Sequence, residues 1–269
     1  MRRIKFGYII LFLLLTVWQP LLAQSRRTTH LLGFDNRPLR FGFYLGGNIM
    51  DYRFSHYPTV YDNPIFTKYP ELKTSAELNA YYQKTSYRAE VSPVSPGLTV
   101  GGVANLKLTK GLDLRFTPGI SLGRRQMVLS IPVSEQLVGQ LEGVDTQDYM
   151  TTPSAYIDFP VGFRYKGWRH YNLRPFVYLG ATYRRDLENK RISEGIVHVK
   201  RNGAYIDIGF GLDTYLEYFR FSGEFRFSYG LTNLIKHDYN SEKVYNTPYY
   251  GFVIKELNSN IFTLLLYFE

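Results

Sequence analysis

The sequence predicts an all-β protein, a transmembrane antiparallel up-and-down β-barrel of about eight strands with short periplasmic turns and long outer loops. Three observations carry this expectation. The chain opens on a segment shaped like an export signal, most of the rest alternates apolar and polar residues with period two, and its connections are short and long by turns.

The opening segment comes first. Met1-Arg2-Arg3-Ile4-Lys5 is a basic stretch, Phe6 to Val17 is apolar, and Pro20-Leu21-Leu22-Ala23 ends it on a small residue before Gln24. This is the three-part plan of a secretory signal, and its apolar core is too short to span a bilayer as a helix. Residues 1–23 are therefore expected to be a signal peptide, 24–37 a short periplasmic segment and 38–269 the barrel. Composition agrees. Aromatics make up 17% of the chain against 20% charged residues, a bias that suits lipid-facing strands with aromatic girdles. Cysteine is absent, which excludes a disulfide framework and any thiolate metal site. The formal charge is +9, and removing Arg2, Arg3 and Lys5 leaves +6, scattered rather than clustered. With no basic run interleaved with stacking aromatics, nucleic acid is not expected as a partner.

Strands half in lipid and half in a lumen must alternate. The clearest runs are Leu112–Leu122, Ala155–Lys166, Ala204–Asp213 and Phe219–Leu231. In the last, Phe219, Phe221, Phe225, Phe227 and Tyr229 oppose Arg220, Ser222, Glu224, Arg226 and Ser228. Weaker runs cover Leu39–Tyr52, Leu98–Leu108, Leu173–Arg184 and Ile261–Phe268. The chain ends on Phe268-Glu269, and a terminal strand ending in an aromatic resembles the signal read by barrel-assembly machinery, an expected partner during insertion. Turns at Thr109-Lys110-Gly111, Gly167–Asn172 and around Tyr218-Phe219 are short, and the connections between them are long. A soluble sandwich also holds regular strands. It has no need to sort its long loops to one end, nor to charge its polar faces so consistently.

Those polar faces define the first candidate site, a lumen charge network. From the first half of the barrel come Arg40, Lys107, Asp113, Arg115, Asp158 and Arg164; from the second, Arg174, Arg184, Asp207, Asp213, Glu217, Arg220, Glu224 and Arg226. Eight strands leave an interior that side chains fill, and charges enclosed there must pair. The reading is structural, a sealed lumen that carries no large stable conductance. The second candidate is the periplasmic rim, where Phe34, Asp35, Trp168, Arg169, His170, Tyr218 and Phe219 stand as contacts for a partner; an interfacial aromatic belt is the competing account.

Catalysis finds little support. His30, His56, His170, His198 and His237 have no metal-ligand spacing. Ser193 and His198 share an expected outer loop with nothing to fix their geometry. No cofactor is expected and the chain is read as not an enzyme. Gly42, Gly46, Gly47 and Gly101-Gly102 form no phosphate loop, since no helix follows, and read as strand glycines that relieve crowding. Residues 71–84 carry helix formers and are expected to form a short helix in the first outer loop.

At the first strand a family resemblance emerges. The run from Phe34 through Arg37-Pro38-Leu39-Arg40-Phe41-Gly42 to Gly46-Gly47-Asn48-Ile49-Met50-Asp51-Tyr52 resembles the N-terminal block of the PorT/SprT family. Phe163–Gly167 with Asn172–Phe176 resembles that family's middle hairpin, and Gly209–Ser222 with Phe227–Leu234 its penultimate one. The likeness is most specific at Asn48–Asp51 and Tyr215–Ser222. It implies an outer-membrane barrel of the type IX secretion and gliding system of Bacteroidetes, with other secretion subunits and outer-membrane lipids as partners. Because a narrow, charge-filled barrel cannot pass a folded protein, the implied role is an accessory or assembly subunit. Two other readings stay open: an adhesin or receptor acting through its outer loops, and an outer-membrane lipid-modifying enzyme.

Overall fold

The computed structural model describes residues 28–57, 62–64, 67, 88–91, 96–130, 147–187, 199–235 and 254–269. The expected leader, the expected helix at 71–84, Ser193, His198 and His237 lie outside these residues. After a 3-10 turn at Phe34–Asn36 the chain forms β1 (Leu39–His56), β2 (Arg88–Val91), β3 (Pro96–Lys107), β4 (Leu112–Phe116) and β5 (Gly119–Ser130). It continues through β6 (Gln147–Lys166), β7 (Leu173–Asp186), β8 (Asn202–Tyr215), β9 (Arg220–Gly230) and β10 (Ile254–Phe268). Every strand pair is antiparallel, and consecutive staves are neighbours.

The sheet closes on itself. On β1, Phe43 stands level with Phe268 of β10 on one side and with Gly102 of β3 on the other. β3 and β6 each pair with both β4 and β5, so these two are one interrupted stave and the ring has eight. The interruption falls at Thr117-Pro118, inside a run that the alternation alone presents as continuous. Proline has no N–H to give the ladder. The groups freed at the break are used: the Thr117 amide donates to the Pro160 carbonyl, 3.1 Å, and the Gly102 amide to the Pro118 carbonyl, 3.0 Å.

Strands also run further outward than the sequence pattern reaches. β5 and β6 pair to Ser130–Gln147, and β2 adds four residues against the end of β5. Alternation fades there because beyond the bilayer neither face meets hydrocarbon. Within the bilayer the pattern is plain. Burial alternates along β7, β8 and β9 residue by residue. Outward stand Phe41, Phe43, Leu98, Val161, Phe163, Leu179, Ile208, Phe210 and Phe225, all exposed. Inward, the largest fully buried side chains include Arg115, Arg164 and Arg220. Such a continuous apolar exterior is far beyond what a soluble monomer exposes. With a charged interior, it is a barrel whose solvent outside is lipid.

Inward glycines make room for this interior. Gly162 and Gly180 face each other in register, and the Tyr178 ring lies over both. A Cβ at Gly162 would come within 2.6 Å of the Gly180 Cα, and one at Gly180 within 2.5 Å of the Tyr178 hydroxyl.

Candidate functional site

The lumen is layered, and its periplasmic half is ionic. Asp113 on β4 is the hub of one cluster: it accepts from Arg40 at 2.5 Å and from Lys166 at 2.7 Å, with Arg164 at 3.7 Å. Asp213 on β8 binds Arg164 closely and Ser222 at 2.6 Å, with Arg220 at 3.8 Å. Glu269 takes Arg220 at 2.5 Å and Arg115 at 3.3 Å, and Glu224 takes Arg115 at 2.8 Å and Arg226 at 2.7 Å. These links join β1, β4, β6, β8, β9 and the residue after β10, so the network braces the ring across its lumen.

Arginine outnumbers carboxylate in this half, and aromatic faces take up the excess. The Arg164 guanidinium lies 3.9 Å from the Phe176 ring centre, Arg226 4.2 Å from Tyr178, and Arg115 4.4 Å from Tyr267. A guanidinium is planar, so it can give its edge to a carboxylate and its face to a ring at once. Lysine could not do both.

The periplasmic mouth is stoppered by the segment before β1. Phe34 is buried, edge-on to Tyr215 and beneath Arg220, whose guanidinium carbon is 4.9 Å from the ring centre. Asp35 accepts from the Tyr215 hydroxyl at 2.7 Å and pairs with Arg174 at 3.1 Å. Burial alone would raise the Asp35 pKa. The Tyr215 hydrogen bond and the charges of Arg174, Arg220 and Lys166 outweigh it and hold the carboxyl below its ordinary range. Arg169, from the β6–β7 turn, covers the Tyr215 ring at 3.7 Å and donates to the carbonyls of His30 and Leu31. Asn172 grips the same segment, accepting from the His30 amide at 2.9 Å and donating to the Thr28 carbonyl at 2.8 Å.

The outer half changes character. Asp158 meets Arg184 at 3.2 Å and Ser121 at 2.5 Å, and Asp207 accepts from Thr182. Beyond them Met50, Tyr156, Tyr205 and Ile261 pack together, and Tyr52, Val199, Leu234, Ile235, Ile254 and Leu257 form an apolar cluster. The Leu234 amide donates to the Leu257 carbonyl at 2.7 Å, which folds residues 233–235 onto the inner face of β10.

Most charges assigned to the lumen from sequence are buried together there. Three are placed otherwise: Lys107 is only half-buried, its Nζ 3.5 Å from the Asn36 side chain of the stopper segment. Glu217 is exposed, because the alternation of β8 stops at Tyr215 and residues 216–219 are turn. Arg174 lies at the mouth, where it serves the stopper. Sequence reasoning passed over Lys166, which lay on the right face, and Glu269, which follows the outward-facing Phe268 and so points inward. It also passed over the inward aromatics, which look apolar in a pattern that sorts only apolar from polar. The rim residues divide. Phe34, Asp35 and Arg169 are spent on the stopper, whereas Trp168 and Tyr218 are 93% and 84% exposed. His170 is exposed in the turn with its ring against Tyr171, and Phe219 touches Phe268. Among the described residues no group of His, Asp and Glu is arranged to hold a metal.

A closed antiparallel barrel, apolar outside and ionic within, defines an integral outer-membrane protein. In agreement, a family model described as "Outer membrane protein beta-barrel domain" matches residues 22–236, and the chain belongs to that family. No curated protein matches the sequence.

Proposed function

We propose that this barrel is an accessory or assembly subunit of the type IX protein secretion system, needed for export of cargo and for gliding, and that it is not an enzyme. The blocks at Asn48–Asp51 and Tyr215–Ser222, which resemble the PorT/SprT family, motivate the assignment. What carries the accessory role is the filled lumen. Arg115, Arg164 and Arg220 lie fully buried across it, and Phe34 stoppers its mouth, so the barrel offers no path for a folded cargo. In this reading the chain reaches the outer membrane after cleavage of its N-terminal signal, is inserted by barrel-assembly machinery, and meets other secretion subunits at the periplasmic rim through Trp168 and Tyr218.

Deletion of the gene should leave cargo in the periplasm with its sorting domain uncleaved, and the wild-type gene should restore export. Normal export in the deletion strain would refute the assignment. For the rim, Trp168→Ala combined with Tyr218→Ala should leave the barrel folded while secretion subunits disappear from a pull-down out of solubilised outer membranes. Unchanged recovery would reduce both residues to an interfacial belt.

A further inference from the structure

On the lipid-facing side, one sector of the barrel carries a groove. It measures about 680 Å³ and runs over β8, β9, β10 and β1, walled by Phe210, Phe225, Phe227 and Phe262 with Ile49 at its outer end. Its floor exists because Gly47 faces outward with no side chain. A Cβ there would meet only the Gly97 carbonyl oxygen, at 3.9 Å, so the space is open and a larger residue fits without moving the backbone.

Register places a polar row directly outward of this groove. Ile49, Phe262 and Phe227 are level with one another on three adjacent strands, and two residues further out the same faces carry Asp51, Asn260 and Tyr229. Next come Arg53 and its partner Asn258. Arg53 is exposed, and its guanidinium is set against the Tyr229 ring at 4.5 Å while donating to the Tyr229 hydroxyl at 2.5 Å. That fixes a cation in place with donors to spare. Asp51, Asn258 and Asn260 are half-buried, and among the described residues their Oδ1 atoms are buried with no hydrogen-bond partner. The row thus holds unsatisfied acceptors just beneath the surface and carboxamides that can also donate, side chains that turn outward to meet a polar ligand seated on them.

We infer that this sector is a binding site for a phosphorylated glycolipid of the outer leaflet. Its acyl chains occupy the phenylalanine-walled groove, its phosphate meets Arg53, and its sugar hydroxyls meet the Asp51, Asn258 and Asn260 row. Three inter-strand spacings make the groove about 14 Å wide, broad enough for several chains abreast, which favours a multi-acylated lipid. A phosphodiester phospholipid would satisfy Arg53 but bring only two acyl chains to a groove broad enough for more, and fewer hydroxyls to the polar row than a sugar headgroup does. Guanidinium is also the better phosphate ligand of the two basic side chains, since its fork matches the phosphate oxygens.

The test uses the full-length protein purified from outer membranes, stripped of lipid in mild detergent and titrated with lipid A or with phosphatidylglycerol under native mass spectrometry. Wild-type protein should retain a single lipid A and discriminate against phosphatidylglycerol. Gly47→Trp, which fills the groove, and Arg53→Gln, which removes the cation, should each weaken lipid A binding by about tenfold. Dephosphorylated lipid A should bind wild type no better than intact lipid A binds Arg53→Gln. Heat-shifted electrophoretic mobility will show that the variants remain folded barrels, and should one fail, the dephosphorylated lipid on wild type still decides. Equal retention of phosphatidylglycerol, binding indifferent to groove, cation and phosphate, or a protein found seated on this face in place of lipid would each overturn the inference.

Discussion

Asp213 shows what single residues do in this lumen. It is fully buried between Arg164 and Arg220, and its charge is the chief partner of the first. Removing one member of a buried ion pair leaves the other uncompensated, a loss of about 3–5 kcal/mol. Asp213→Asn should therefore lower the urea midpoint of the barrel in lipid vesicles markedly, whereas Glu217→Gln, in an exposed turn, should leave it unchanged. Gly180→Val should be severe for another reason, because its side chain would collide with Tyr178 and with the Val161 carbonyl; failure to fold, read by the loss of heat-shifted mobility, is the expected outcome. The face on which each charge lies was legible, since parity along a strand decides it. The pairing was not. Arg115 meets Glu224, which is distant in sequence, and the stagger that brings them level is a property of the closed ring that no single strand records.

At the scale of elements, the segment before β1 is the part whose role changed most. From sequence it reads as a loose lead-in available to a partner; folded, Phe34 and Asp35 are wedged into the barrel mouth and gripped by Arg169 and Asn172. Nothing in a period-two pattern marks a stopper, because it sits in a 3-10 turn with no alternation to read. Its attachment depends on charge. The Asp35 carboxyl is held below its ordinary range, so the stabilisation it provides is complete above the range in which free carboxylates titrate and is lost as pH falls through its depressed value. Spin labels at Gly33 and Lys110 should report one short distance near neutrality and a broad distribution in strong acid. Asp35→Asn should show the broad distribution already at neutral pH. A distance that ignores both acid and substitution would mean that the carboxylate does not hold the segment. The hairpins, by contrast, were readable to within a residue or two at Lys107–Leu112, Lys166–Leu173 and Tyr215–Arg220, since each tight turn must bring two lipid-bound faces back into register.

For the whole molecule, the closed eight-stave ring was visible in the alternation and in the sorting of short and long connections, while the Pro118 break and the outward extension of β5 and β6 were not, one hidden by an unbroken pattern and the other lying where no pattern is imposed. A filled ring has a functional corollary: in planar bilayers the intact protein should show no large stable conductance, and steady open-channel currents would contradict the packed lumen. The two ends of that lumen obey different chemistry. Toward the periplasm the interior is knitted by ions and by a charged stopper; toward the outside it is sealed by Tyr52, Ile254, Leu257, Leu234 and Ile235. Strong acid, which protonates the carboxylates, erodes the first kind of seal and leaves the second intact. The barrel is therefore built to yield from within the cell envelope while staying shut against the world, and amide exchange in strong acid should spread from the short turns upward.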